Sequence, residues 1–186
     1  MTKKLKGNSM FEQLIVKKAT QEELPILHQI LVDCGYYMYT HLGLNHWHPY
    51  ASLDQFKEKV KEATVYSVYY NNQMIATFNL STSPRNYYQP SHWRHNDVMP
   101  VYLGNLAIHP DFQGKKIGIW CMQQVEDIAD TMKSTAIRFD CVQKHPWLCQ
   151  FYEKVGYTRG SLIPMPEPTG NLVCFEKKVP VVSKSG

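Results

Sequence analysis

HPDFQGKKIGIWCMQQVEDIA, residues 109–129, decides how this chain is read. A turn bearing Gly114 and two lysines runs directly into a pattern in which Ile117, Cys121, Val125, Ile128 and then Met132 share one helix face. Upstream, VYLGNLAI (101–108) is an apolar run of strand length that stops at His109-Pro110. A helix start presents unpaired N–H groups and the positive end of the macrodipole, so a strand–turn–helix junction of this kind suits an anion. Glycine in the turn lets a bulky group approach the backbone. Alone, the loop is not specific. It lacks the G-x-x-x-x-G-K-[ST] spacing of a nucleotide-binding loop, and two glycines four apart arise readily by chance.

The flanks supply the rest of the fold. Phe11 to Lys18 predicts a first strand. Thr20-Gln-Glu-Glu23 has the form of a capping box before a helix with Leu24, Leu27, Leu31 and Cys34 on its buried side, with Pro25 pulling the start toward Glu23. Ser52-x-x-Gln55 repeats that signal for a short second helix. VYSVYY (65–70), Asn71-Asn72 and QMIATFNLS (73–81) predict a hairpin, because Asn tolerates the positive φ of a tight turn. STAIRFDCV (134–142) is a further strand. Pro146 and Gly156 bracket a last helix, and two strands near 157–163 and 171–179 end the chain. The expected fold class is α/β (α+β): a mixed β-sheet with helices on both faces.

The totals exclude several classes. At 186 residues the expectation is one domain over 10–180, with a flexible N-terminal tail over 1–9 and a C-terminal tail over 181–186. The start MTKKLKGNSM has no apolar segment after its lysines and is not expected to be a secretory signal; Met10 is an alternative start. No run approaches the roughly 20 apolar residues that span a bilayer. Five scattered cysteines without a C-x-x-C pair fit free thiols in a reducing cytoplasm. The net charge of +4 is mild and the basic residues are dispersed, so a nucleic-acid partner is not expected.

LAIHPDFQGKKIG (106–118) followed by DCVQKHPWLCQFYEKVGY (140–157) resembles the GCN5-related N-acetyltransferase (GNAT) family in two motifs of matching order and spacing. Gln113 and Gly118 take the outer positions of its Q/R-x-x-G-x-G/A loop, and Lys116 stands at the middle glycine. His145 stands where the family often has Asn, seven residues before its tyrosine, here Tyr152.

The resemblance implies an acetyl-CoA-dependent N-acetyltransferase that acts by direct attack of a primary amine on the thioester. The acceptor, a small amine or a peptide or protein amino group, is not identified. The backbone of Leu106, Ala107 and Ile108 would pair with the pantetheine arm and polarise the thioester carbonyl. Gln113, Gly114, Lys115, Lys116, Ile117, Gly118 and Ile119 would hold the pyrophosphate, with His145 nearby. Tyr152 is the candidate general acid for the leaving thiolate, and Asp140 the candidate general base. Asn105, two residues before Ala107, is a candidate to orient substrate or water; a structural hydrogen bond is its other reading.

Two aromatic stretches, 36–50 and 84–97, are expected as loops walling the acceptor pocket, with Tyr37, Trp47, Tyr88 and Trp93 as candidate lining. His41, His46 and His48 lack metal-ligand spacing, so no metal is expected. Two alternatives stay open: a non-catalytic CoA-binding or sensing module, and an N-acyltransferase using another acyl-CoA. A homodimer is compatible with the family, and no membrane partner is expected.

Overall fold

The computed structural model describes residues 10–179. The expected tails, over 1–9 and 181–186, lie outside the described residues. The elements are β1 (Leu14–Lys18), α1 (Leu24–Leu42), α2 (Leu53–Lys59), β2 (Thr64–Tyr70), β3 (Gln73–Ser81), β4 (Pro100–Ile108), α3 (Ile117–Thr131), β5 (Ala136–Val142), α4 (Pro146–Lys154), β6 (Thr158–Ile163) and β7 (Leu172–Lys178). This is the expected order, with short 3₁₀ turns at Met10–Gln13, Pro90–His92 and Pro110–Phe112. The first of these turns takes Phe11, so the first strand is shorter than its apolar pattern suggested.

Seven strands form one sheet in the order β1-β2-β3-β4-β5-β7-β6. Every neighbouring pair is antiparallel except β4–β5, which is parallel. The β2–β3 turn has φ of 48° at Asn71 and 62° at Asn72, the two positive values a primed hairpin turn needs. On one face α3 and α4 bury Ile117, Cys121, Val125, Cys149 and Tyr152 against Phe78, Phe139 and Phe175. On the other, Leu24, Leu27 and Leu31 of α1 and Phe56 of α2 pack with Val65 and Ala107. Each such side chain stabilises the fold by about 1.5–3 kcal/mol relative to exposure. Helices on both faces follow from these two cores.

Local signals held unequally. Ser52 Oγ accepts Gln55 N–H at 3.3 Å while Gln55 Oε1 accepts Ser52 N–H at 2.9 Å, a complete capping box. At Thr20 only half forms: Glu23 Oε2 accepts the Thr20 N–H at 2.8 Å, and α1 begins later, at Leu24. Two constraints move that start. Pro25 is tolerated only in a first turn, and the Glu23 carboxylate is also engaged by Ser67 Oγ at 2.9 Å and by the Tyr69 hydroxyl.

The stretch 36–50 is not all loop. α1 continues through Leu42 and stops at Gly43, whose φ of 66° lets its N–H reach Met38 O. Stacking of Tyr37 on His41, 4.2 Å between ring centroids at i,i+4, supports the extra turns. Helical periodicity is masked there because both apolar and polar faces carry aromatic rings.

Candidate active site

β4 and β5 pair only through Pro100–Tyr102 and Ala136–Arg138. Beyond Tyr102 they part. The cause lies in β4: its register with β3 slips between Thr77 and Asn79, and Asn105 sits in the slip at a φ of 50°. A bulge of this kind bends one strand away from its partner. Gly104 permits the bend, since a Cβ there would stand 2.7 Å from Asn79 Oδ1 and 3.1 Å from Arg85 Nη2. The strands open onto a cleft of about 790 Å³. Leu103 to Ile108 line one side and Phe139 to Val142 the other, with α1, residues 46–51 and α4 closing the ends. That volume falls in the range of small-molecule and cofactor sites.

The 109–118 loop borders this cleft. Ile108 O accepts from Gln113 Nε2 at 2.9 Å and from Cys34 Sγ at 3.1 Å, tying the loop to β4 and α1. Gly114 (φ 75°) and Lys116 (φ 62°) are both left-handed, and Lys116 is the residue immediately before α3. At Gly118 a Cβ would stand 3.3 Å from Phe151 Cζ and 3.5 Å from Ile108 Cδ1, so a glycine lets α3 approach β4 and α4 without displacing the Phe151 ring.

Leu106, Ala107, Ile108, Gln113, Gly114, Lys116, Ile117, Gly118, Ile119 and His145 all line the cleft. Lys115 does not. Its ammonium turns back to Asp111 O at 2.9 Å and lies 4.9 Å above the Phe112 ring, where it is already satisfied.

Tyr152 lines the cleft from α4, packed against Phe139 (centroids 4.5 Å apart) and Phe175 (5.4 Å). Burial pushes its hydroxyl well above the ordinary tyrosine value, with Cys141 and Asp140 adding to the effect. It therefore holds its proton at neutral pH and is a donor. His145 caps α4: its Nδ1 accepts Leu148 N–H at 3.2 Å, so the imidazole satisfies the helix-start donor that an Asn there would. Burial lowers its pKa, leaving it neutral.

Asp140, on β5, is heavily engaged. Its Oδ2 accepts from Tyr87 Oη at 3.0 Å and from the Tyr88 hydroxyl. Arg85 Nη1 donates to the same Tyr87 Oη at 2.9 Å. Burial alone would lower the Arg85 pKa, but Asp140 and the two phenols more than offset it, and it is raised. Asn105 is 8% exposed, and its Nδ2 has no partner among the described residues.

The aromatic candidates divide. Tyr37 and Trp47 line the cleft. Tyr88 and Trp93 do not. Tyr88 sits 5.0 Å from Trp93 and 5.6 Å from Tyr102, ring to ring, in a separate core with Ile163 and Leu172. Arg138 covers Trp93 at 4.9 Å. Tyr87 takes the wall position instead, its ring 5.0 Å from that of Tyr88 and its hydroxyl on the same Asp140 oxygen.

Sequence reasoning missed Arg85, Lys59, Tyr50, Tyr87 and His46 as lining residues. No local pattern set Arg85 apart, since the same polar-aromatic stretch also carries Arg94. Burial, then the neighbouring His145 and Lys144, push His46 down to about 4. His41 stacks on Tyr37 and His48 on Tyr39, at 4.2 and 4.4 Å, so the three histidines diverge. Among the described residues no group of three or more His, Cys, Asp and Glu could hold a metal ion, and no helix is long and apolar enough to cross a membrane. All five cysteines are free and buried.

Comparison with known proteins agrees with this architecture. The model of the acetyltransferase (GNAT) family matches residues 24–157. A Bacillus subtilis (strain 168) protein, S-(2-succino)cysteine N-acetyltransferase, is 29% identical over 143 residues, covering 74% of this chain and 79% of that protein. Among solved structures, an acetyltransferase of the GNAT family from Streptococcus agalactiae 2603 superposes with a TM-score of 0.73 at 14% identity, covering 89% of this chain and 95% of the other. The spermidine N-acetyltransferase of Vibrio cholerae, in complex with CoA and spermine, gives 0.65 at 14% identity over 90% and 96% of the two chains.

Proposed function

The chain belongs to the acetyltransferase (GNAT) family and is an acetyl-CoA-dependent N-acetyltransferase; from that premise we propose how its cleft carries out the transfer. The observation that carries the reading is the parting of β4 from β5 after Tyr102. It leaves the β5-facing edge of β4, including Leu106–Ile108, without a strand partner in β5, beside a loop whose amides precede α3. An extended amide-bearing chain such as pantetheine fits that edge as an added strand would. Residues 113–114 and 116–119 fit the pyrophosphate, and Lys116 supplies a cation there.

The amine nitrogen attacks the thioester carbon, a C–N bond forms, and the C–S bond breaks. A backbone N–H on the β4 edge stabilises the developing oxyanion. Tyr152 gives its proton to the departing sulfur and recovers one from solvent. Asp140 is the one carboxylate among the described residues lining the cleft, and its Oδ2 serves two phenols beside a guanidinium. Two phenols already donate to that oxygen and hold it against the 85–88 segment, so we assign Asp140 to positioning that segment, and the ammonium proton to water.

The Bacillus relative is named for acetylating a cysteine derivative, which supports an acceptor of amino-acid size. The five buried free thiols fit a reducing compartment such as the cytoplasm.

Calorimetric titration with acetyl-CoA and dephospho-CoA, followed by an amine screen with thiol-release detection, tests the reading. Saturable acetyl-CoA binding with amine-dependent thiol release is expected. Binding with no turnover of any thioester would make this a CoA-binding module, and turnover only with longer acyl chains would replace the acetyl group.

A further inference from the structure

The end of the cleft away from the 109–118 loop is unlike a pocket for a bare amine. Lys59, at the end of α2, and Arg85 both line it, and both also line a smaller adjoining cleft of about 300 Å³ that shares Gly104 and Asn105 with the first. Glu62 lies on the outer wall of that smaller cleft. Lys59 is an exposed residue, yet desolvation, and then the nearby Arg85, hold its pKa below the ordinary lysine range. Asp140 faces both cations and offsets one. Among Lys59, Arg85 and Asp140, the three charged groups at this end of the main cleft, one positive charge is left over to attract an anion.

Two donors point to the same missing group. Asn105 Nδ2 and Tyr50 Oη are both buried, and neither has a partner among the described residues. Both residues line the main cleft, and Arg85 acts on Tyr50 electrostatically. Buried donors are nearly always satisfied, so an acceptor-rich group is called for. A carboxylate is acceptor-only, carries one negative charge, and suits a guanidinium. We propose that the amine acceptor carries a carboxylate, held by Lys59, Arg85, Asn105 and Tyr50. This rests on the acetyltransferase reading and names the substrate class for it. The same cations disfavour polyamines, whose extra ammonium groups would meet like charge.

The test measures kcat/KM by thiol release for L-aspartate, L-glutamate and S-carboxymethyl-L-cysteine, each against its methyl esters. Spermidine, tyramine and O-phosphoethanolamine serve as acceptors without a carboxylate. At least one free acid is expected to exceed its ester by about tenfold or more, the size of a desolvated charge contact. Lys59→Met and Asn105→Gly are each expected to raise KM for that acid by about tenfold and KM for its ester by much less, with acetyl-CoA affinity unchanged in Lys59→Met. Glycine at 105 keeps the positive φ while removing the amide. Better transfer to esters, polyamines or the phosphorylated amine would overturn the proposal alone, as would an unchanged acid KM in both variants. Acetyl-CoA binding with no transfer to any acceptor would overturn the acetyltransferase reading and this proposal with it.

Discussion

Asp140 Oδ2 accepts the Tyr87 hydroxyl at 3.0 Å, joining residues 53 positions apart and pinning the segment after β3 to β5. The contact decides what Asp140 can do. Asp140→Asn is expected to lower stability, because it leaves Arg85 without its counter-charge and weakens the anchor of the 85–88 segment, while kcat falls less than about tenfold. A general base would behave otherwise, losing about 10²-fold or more in kcat. Rate profiles from pH 6 to 10 for both proteins separate the two roles; a large kcat loss that shrinks as pH rises would restore the base assignment.

Tyr152→Phe is expected to cut kcat by about 10²-fold and leave acetyl-CoA affinity nearly intact. The ring packing against Phe139 and Phe175 survives the substitution, so the variant should fold. Unchanged turnover at saturating acceptor would remove Tyr152 from the proton transfer.

Gly118→Glu places a carboxylate and a Cβ where Phe151 Cζ would be 3.3 Å away. Acetyl-CoA affinity is expected to drop by about tenfold or more through repulsion of the pyrophosphate, whereas Gly118→Ala should lose less. Lowered stability with unaltered affinity, measured by calorimetry, would make the loop a connector only.

Stability is expected to fall on acidification through His46. Its pKa is 6.5 ordinarily and about 4 in the fold, so between those values the unfolded chain binds a proton that the native protein refuses. Native stability is therefore full above pH 6.5 and declines as pH drops toward 4. The lowered His145 acts in the same direction. Denaturant midpoints at pH 7, 5.5 and 4.5 should fall more steeply for the wild-type protein than for His46→Gln. Equal slopes would show that His46 does not carry the effect.

Local chemistry was enough for much of the fold. The apolar runs VYSVYY and QMIATFNLS around two asparagines, the Ser52–Gln55 box, and the Pro146 and Gly156 brackets each depend on neighbours within four residues, so they can be read along the chain. The turn before α3 was legible for the same reason: the glycines and helix start proposed to hold a phosphate are contiguous from 113 to 119.

The acceptor end was decided only in three dimensions. Lys59 ends one helix, Arg85 sits in a loop, Asn105 occupies a strand bulge and Asp140 lies in the next parallel strand; no local pattern links them. Whether Tyr87 or Tyr88 lines the cleft turns on the packing of Tyr88 against Trp93 and Tyr102, and Lys115 is diverted by one carbonyl and one ring. The sequence by itself determined the elements, their order and the glycine-bearing turn before α3. Only the tertiary structure, by bending β4 away from β5 at Asn105, gathered distant charges and unpartnered donors around one opening.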